Sequence, residues 1–327
     1  MGLFNYYFNN SIEQISNTFL SKIQHGKLNV NFPSGRKIKY NGNNEGLNAD
    51  IKLNNYNLFY KLLKKGSVGF AESYMDGDYE STDLSKLLQF AHQNELSYLK
   101  EKKARWLSNV YIKIIHYLNQ NSKRGSQRNI SHHYDLGNNF YKHWLDETMT
   151  YSSALFKDKS DNLLKAQINK YIGIAEPLQL NDNSKLLEIG CGWGGFSTFV
   201  AKKYGTKVKA ITISKEQFEF ASKRIAKEGL NEKISIEMQD YRDIKDKFTN
   251  IVSIEMFEAV GKEYWQQFFE KIKNSLLENG LATMQIITIN NNKAAYYQSN
   301  PDFIQQYIFP GGVLPSKKQL QEITYLK

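Results

Sequence analysis

Cysteine is almost absent: the 327 residues contain one, Cys191. An intrachain disulfide is therefore excluded, and such thiol usage points to a reducing compartment. Long apolar runs are missing too. No stretch approaches the roughly 18 apolar residues that a membrane-spanning helix requires, so any meeting with a bilayer is expected from the side. The opening "MGLFNYYFNNSIEQISNTFL" has no basic start followed by an apolar run and is not expected to act as a signal peptide. Acidic residues are in deficit, 33 Asp and Glu against 43 Lys and Arg, for a formal charge of +10. That balance suggests a membrane surface, a nucleic acid or an acidic substrate as partner, against the plain alternative that Lys is abundant. His132 and His133 have no Cys or acid cluster at ligand spacing beside them, so they are read as helix-start hydrogen-bonding residues rather than a metal site.

What is present divides the chain. Residues 1–95 read as a small α+β domain. "KLNVNF", "RKIKYNG" and "GLNADIKLNN" are strand-like around a "FPSG" turn. "YNLFYKLLKKG" is a helix stopped by Gly66, and "AESYMDGDYESTDLSKLLQFAH" a turn and then a helix capped by Ser81 or Thr82. Residues 96–130 hold a basic segment in which Trp106, Leu107, Val110, Ile114 and Leu118 recur at helical spacing. Such a basic amphipathic helix suits an anionic bilayer or packing on its own domain, and the polar "NQNSKRGSQRN" after it marks a boundary. From Asn183 strands and helices alternate, which implies an α/β fold with a parallel sheet covered on both faces. In this reading "WQQFFEKIKNSLLENG" is a helix and "LATMQIITI" the strand after it.

The chemistry concentrates after the first of these strands, in "LLEIGCGWGGF". Gly190, Gly192, Gly194 and Gly195 lie at a strand-to-helix turn, where glycine lets backbone approach a ligand and adopt positive φ. A dinucleotide site would want G-x-G-x-x-G and an acid ending the second strand. Here the spacing is G-x-G-x-G-G and the strand ends "AITIS", so a nicotinamide dinucleotide is disfavoured. Glu188, two residues before the first glycine, instead resembles the pattern of S-adenosylmethionine methyltransferases, where a carboxylate faces the methionyl ammonium. Asp240 and Tyr241 in "MQDYRDI" are placed to bond and stack an adenine.

Five motifs in order, "SHHYDLGNNFYKHWLDETMTYSSALF", "LLEIGCGWGGFSTFVAKKYG", "ITISKEQ", "IEMFEAVG" and "FIQQYIFPGGVLPS", resemble the cyclopropane-fatty-acyl-phospholipid synthase and mycolic acid methyltransferase family. The resemblance runs from about Ser131 onward, and "GSVGFAESYMDGDYES" resembles the extra N-terminal domain of longer bacterial members. It implies a Rossmann-like methyltransferase domain over 131–327 that transfers a methyl or methylene group from S-adenosylmethionine to the double bond of an unsaturated lipid acyl chain. It implies cofactor contacts at Tyr151, Ser152, Glu188, Gly190, Gly192, Gly194, Thr212, Gln217, Asp240, Tyr241 and Arg242. Phe140 and Trp144 are read as core residues of a leading helix. The expected partners are unsaturated phospholipid acyl chains, an anionic membrane surface on the cytoplasmic side of the inner membrane, and a second copy of the chain in a homodimer; nucleic acid is not among them.

The expected catalytic residues are Ser153, Glu258 and Gln285. In the family Glu258 helps position a bicarbonate that removes a proton and closes the ring. Ring-forming members carry Tyr-Ser-Cys where this chain has Tyr151-Ser152-Ser153, and a histidine where it has Gln285. Both residues can still hydrogen-bond an anion, but glutamine cannot carry positive charge. Two products therefore stay open, a ring or a methyl branch. The family also continues past "FPGGVLPS" through a helix, two strands and a further tyrosine that are not seen in "KKQLQEITYLK". An exposed sheet edge is expected in consequence, and a catalytically silent lipid-binding relative is the second reading.

Overall fold

Leu28 and Val30 alternate with Lys27, Asn29 and Asn31 along β1 (His25–Asn31), a period of two that buries one face of the strand. In the computed structural model the described residues are 13–14, 16–18, 20–94 and 137–325. The chain divides into two compact units, Met1–Ile114 and Ile115–Lys327. The expected basic helix of 96–130, with His132 and His133, lies outside the described residues.

In the first unit β1 pairs antiparallel with β2 (Lys37–Asn41) and parallel with β3 (Asn44–Leu53), which also carries β4 (Tyr79–Glu80). Helices α1 (Asn57–Lys65), α2 (Ser67–Met75) and α3 (Leu84–Gln93) follow the chain around this sheet. Leu58, Leu87 and Phe90 join Val30, Ile51 and Leu53 in its core. Two expectations change here. "AESYM" is helical, within α2, and the turn comes after it at Asp76–Gly77. The cap of α3 is Asp83, whose carboxylate accepts the Lys86 N–H at 2.9 Å. Thr82 is unavailable because its hydroxyl and N–H both bond Asp50. A side-chain cap of this kind contributes about 1 kcal/mol.

The second unit holds five parallel strands. They are β5 (Lys185–Ile189), β6 (Lys207–Thr212), β7 (Ile234–Met238), β8 (Phe248–Ile254) and β9 (Leu276–Gln285), in the order β7-β6-β5-β8-β9. Helices α4 (Gly137–Tyr141) and α5 (Leu163–Ala175) precede β5. Between and after the strands come α6 (Gly195–Tyr204), α7 (Lys215–Lys227), α8 (Trp265–Ser275), α9 (Asn291–Ser299) and α10 (Lys317–Tyr325). Neighbouring residues on a strand face opposite sides. Accordingly Leu186 packs with Val200 and Val208 in one cluster, and Leu187 packs with Ile211 and Phe268 in another. Both leucines are fully buried, which is why the strand reads as one apolar run. Each such burial stabilises the fold by about 1.5–3 kcal/mol.

One boundary differs from expectation. The helix expected over 265–280 ends at Ser275, and Leu276 is already opposite Phe248 in the ladder. The register shifts before Asn250 pairs with Leu281, and Asn279 takes a left-handed φ of 60°. Strand pairing with a bulge therefore overrides the local helical preference of "LLEN". The strand stops at Gln285, and among the described residues β9 is the sheet edge. Strand order reverses between β5 and β8, so a crevice opens outside their carboxyl ends.

Candidate active site

That crevice is a cavity of about 750 Å³, within the size range of small-molecule sites. β5 ends at Ile189 and the chain enters the glycine turn with φ of 79° at Gly190, 53° at Gly192 and 80° at Gly194. L-residues with a side chain rarely adopt this region. Gly190 and Gly192 line the cavity. Gly194 does not; it faces α7, where an added Cβ would stand 3.2 Å from the Ala221 methyl. Its place in the turn is therefore close packing of helix on helix. At Gly195 a Cβ would come within 2.9 Å of the Thr148 carbonyl, so the start of α6 presses on the segment that carries residues 151–153.

Glu188 is buried under this turn and accepts a hydrogen bond from Ser197 Oγ. Loss of water around it pushes its carboxyl up to about 8. At the end of β6, Thr212 donates to Gln217 Oε1 at 2.9 Å, and Ser214 N–H donates to Thr212 Oγ1 at 3.1 Å. After β7, Asp240 receives Arg242 Nε at 2.8 Å and Nη2 at 2.7 Å, a two-pronged ion pair. Tyr241 packs edge-on against Phe268 at 5.1 Å. Its buried hydroxyl finds no hydrogen-bond partner among the described residues. Glu188, Thr212, Gln217, Asp240, Tyr241 and Arg242 all border the one cavity.

The segment before α5 forms another wall. Tyr151 lies between Trp144, edge-on at 5.2 Å, and Phe309, stacked at 6.3 Å. The expectation for Phe140 and Trp144 does not hold: they are 46% and 45% exposed. Tyr141 takes the inward position of this short helix instead, packed on Trp193 at 5.1 Å, so the adjacent Phe140 must face outward. Lys170, on the buried face of α5, donates to Ser152 Oγ at 2.6 Å. Burial lowers its ammonium to about 8.

Two carboxylates stand at the carboxyl end of β8. Glu258 accepts the Ile287 N–H on Oε1, while Oε2 is buried without a partner among the described residues. Burial, helped by the Glu255 charge, raises its carboxyl to about 7. Glu255 accepts from Ser153 N at 2.9 Å, Ser153 Oγ at 2.8 Å and Gln285 Nε2 at 2.7 Å. Ser153, Glu255 and Glu258 line the cavity; Gln285 stands behind Glu255.

Sequence reasoning missed Glu255 and Lys170. Both left a signal. Glu255 follows the last residue of a buried parallel strand, where ligand-facing residues concentrate. Lys170 shares an i, i+4 stripe with Ala166 and Ile174, both apolar, so helical periodicity already puts it on the buried face.

The comparisons agree on one relationship. The family model described as mycolic acid cyclopropane synthetase matches residues 121–326, and a domain of unknown function matches residues 15–103. The cyclopropane-fatty-acyl-phospholipid synthase of Escherichia coli (strain K12) is 37% identical over 278 residues, covering 84% of this chain and 69% of that protein. A tuberculostearic acid methyltransferase of Mycobacterium tuberculosis is 33% identical over 271 residues, covering 81% of this chain and 63% of its own. Among solved structures, a mycolic acid cyclopropane synthase complexed with SAH and CTAB superposes with a TM-score of 0.57. It is 31% identical and covers 61% of this chain and 73% of its own.

Proposed function

The chain belongs to the mycolic acid cyclopropane synthetase family, and from that premise we propose that it transfers a one-carbon unit from S-adenosylmethionine to the double bond of an unsaturated lipid acyl chain. One observation carries this reading. A single cavity joins buried polar groups (Glu188, Thr212, Gln217) to a half-exposed apolar rim of Phe156, Ile287 and Ile304. The first set suits a charged amino acid and a nucleoside, and the second suits a hydrocarbon chain.

The residues fit S-adenosylmethionine. Gly190 lines the cavity at the turn, Glu188 offers a carboxyl to an ammonium, and Tyr241 borders the same space. When bound, the cofactor supplies a methyl group on a positively charged sulfur. The alkene is a weak nucleophile and leaves a carbocation behind. The rings of Tyr151 and Trp144 line the cavity, and aromatic π faces of this kind stabilise positive charge. Ser152, held by Lys170, fixes Tyr151 beside the turn.

Lipids from cells expressing the chain and fed methyl-labelled methionine test this. The expected result is one labelled one-carbon unit in unsaturated acyl chains, and chromatography against ring and methyl-branched standards identifies the product. No labelled lipid, with cofactor binding intact by calorimetry, sinks the reading and leaves the silent relative.

Glu188 makes a proton-linked prediction. Its folded carboxyl titrates at about 8, so it is protonated at pH 7 in the free protein. An ammonium placed beside it favours the carboxylate. Cofactor binding at pH 7 is therefore expected to release up to about one proton, and the release fades above pH 8, where the free protein is already ionised. Calorimetry in buffers of different ionisation enthalpy reads this directly. The Glu188→Gln control separates it from the neighbouring Lys170. Buffer-independent heats at pH 7 contradict the assignment.

A peripheral approach to an anionic bilayer is part of the proposal, supported by the apolar rim and the net charge of +10. No helix among the described residues is long and apolar enough to cross a membrane. Binding to anionic vesicles that weakens with salt is expected; salt-insensitive or absent binding removes this part.

A further inference from the structure

We propose that Glu255 is the general base of the reaction, its own carboxylate standing where the family resemblance puts bicarbonate. The proposal rests on the function given above.

The first support is the donor set. Ser153 N–H, Ser153 Oγ–H and Gln285 Nε2 all converge on one oxygen, Glu255 Oε1, at 2.9, 2.8 and 2.7 Å. Ser153 and Gln285 occupy the two positions that depart from the ring-forming members, and both are engaged by Glu255. Bicarbonate does not fit beside them. The single hydroxyl proton of Ser153 already has its acceptor, and Gln285 divides its donors between Glu255 and Ser153. A diffusible anion would also stand against the Glu255 carboxylate, a like-charge arrangement that disfavours it. A neutral glutamine holds a tethered carboxylate without needing the charge that would attract a free one.

The second support is backbone geometry. Glu255 adopts a φ of 49°, a left-handed conformation uncommon for residues with a side chain. Its N–H is tied to the Gln285 carbonyl at 2.9 Å. Such a conformation persists where the surroundings hold it, and it is concentrated at functional sites. Here it sets the carboxylate on the cavity wall next to residues 151–153. Oε2 accepts no hydrogen bond among the described residues, so one oxygen is anchored and the other is open to a proton.

The step balances without a co-reactant. Carbon–carbon bond formation leaves an acyl-chain carbon cationic. A C–H bond on the newly attached carbon breaks and its proton passes to Glu255 Oε2. The released electron pair closes the third carbon–carbon bond of a ring. If hydride has first shifted, the proton leaves a neighbouring carbon and a double bond forms instead. The carboxylic acid of Glu255 then returns its proton to solvent.

The test compares the full-length wild type with Glu255→Gln and Glu255→Gly. Unsaturated phospholipid vesicles and methyl-labelled cofactor are used in carbon-dioxide-free buffer, with and without added bicarbonate. Glycine suits the left-handed backbone, so this variant keeps its fold, and calorimetric cofactor binding verifies that in both. The wild type is expected to turn over equally with and without bicarbonate. Glu255→Gln is expected to lose at least about 100-fold, the usual scale for a lost general base. Glu255→Gly should be equally slow and regain activity with bicarbonate. As a readout independent of turnover, carbon-13 line widths of labelled bicarbonate should stay sharp with the wild type and broaden with Glu255→Gly. A wild type that needs bicarbonate or broadens its line, or a Glu255→Gln variant of undiminished rate, overturns the proposal. Failure of the function itself looks different: no labelled methyl reaches lipid from the wild type under any condition, and the base falls with it.

Discussion

Glu258→Gln is expected to lower kcat by about 100- to 1,000-fold, the range for removing one preorganised electrostatic partner of a transition state, with cofactor affinity little changed. Glu258 keeps one oxygen fixed by the Ile287 N–H and the other buried and unpartnered. A buried carboxyl left in that condition costs stability, and such cost is usually kept where charge is needed. The charge needed here is negative, opposite the carbocation. Burial raises this carboxyl to about 7, so the carboxylate fraction grows as pH rises through that value. Wild-type kcat at saturating cofactor should therefore climb through about pH 7, and the Glu258→Gln profile should lose that rise. The stability sign runs the other way. A carboxyl raised in the fold is penalised for ionising, so the folded state loses stability as pH increases from the unfolded value through about 7. The glutamine variant escapes that loss. An unchanged kcat, or an inflection that survives the substitution, contradicts the role.

Phe268→Ala carries the largest stability effect, about 3–5 kcal/mol for emptying a buried phenylalanine site. Phe268 is fully buried and touches three rings: Tyr241 at 5.1 Å, Phe257 at 5.3 Å and Phe269 at 5.7 Å. Tyr241 borders the cavity and loses the ring behind it when Phe268 is truncated. Urea unfolding should show the destabilisation, and calorimetry a weaker cofactor affinity in the same variant. Phe268→Leu, which keeps most of the volume, should lose much less of both. A Phe268→Ala midpoint close to wild type would mean that the cavity collapses at little cost.

The elements that were legible share one property: their cause is local. β5 reads as a strand because both of its faces are covered, and consecutive apolar residues can be nothing else in a parallel sheet. The glycine turn is legible because three positive-φ positions in five residues leave few alternatives to glycine. α6 ends at Gly205 and α7 begins at Ser214 for capping reasons written at those residues. Where a local signal competed with a distant one, it lost. "LLEN" prefers helix, yet strand β8 claims Leu276. Thr82 is a good cap, yet Asp50 binds it and leaves the helix start to Asp83.

By itself, then, the sequence determined the parallel α/β unit, the glycine turn, and the residue types that gather around a cofactor and a lipid chain. Periodicity, capping and turn chemistry act within a few residues and can be read from them. Only the tertiary structure decided what those residues do to one another. Ser153 and Glu255 are 102 residues apart and Ser153 and Gln285 are 132 apart, and their contacts exist because β8 and β9 end side by side beneath the segment before α5. The outward turn of Phe140 and the water-poor sites of Glu188, Glu258 and Lys170 likewise follow from packing. Packing sets the dielectric and the neighbours of each charge, and no window of sequence contains either.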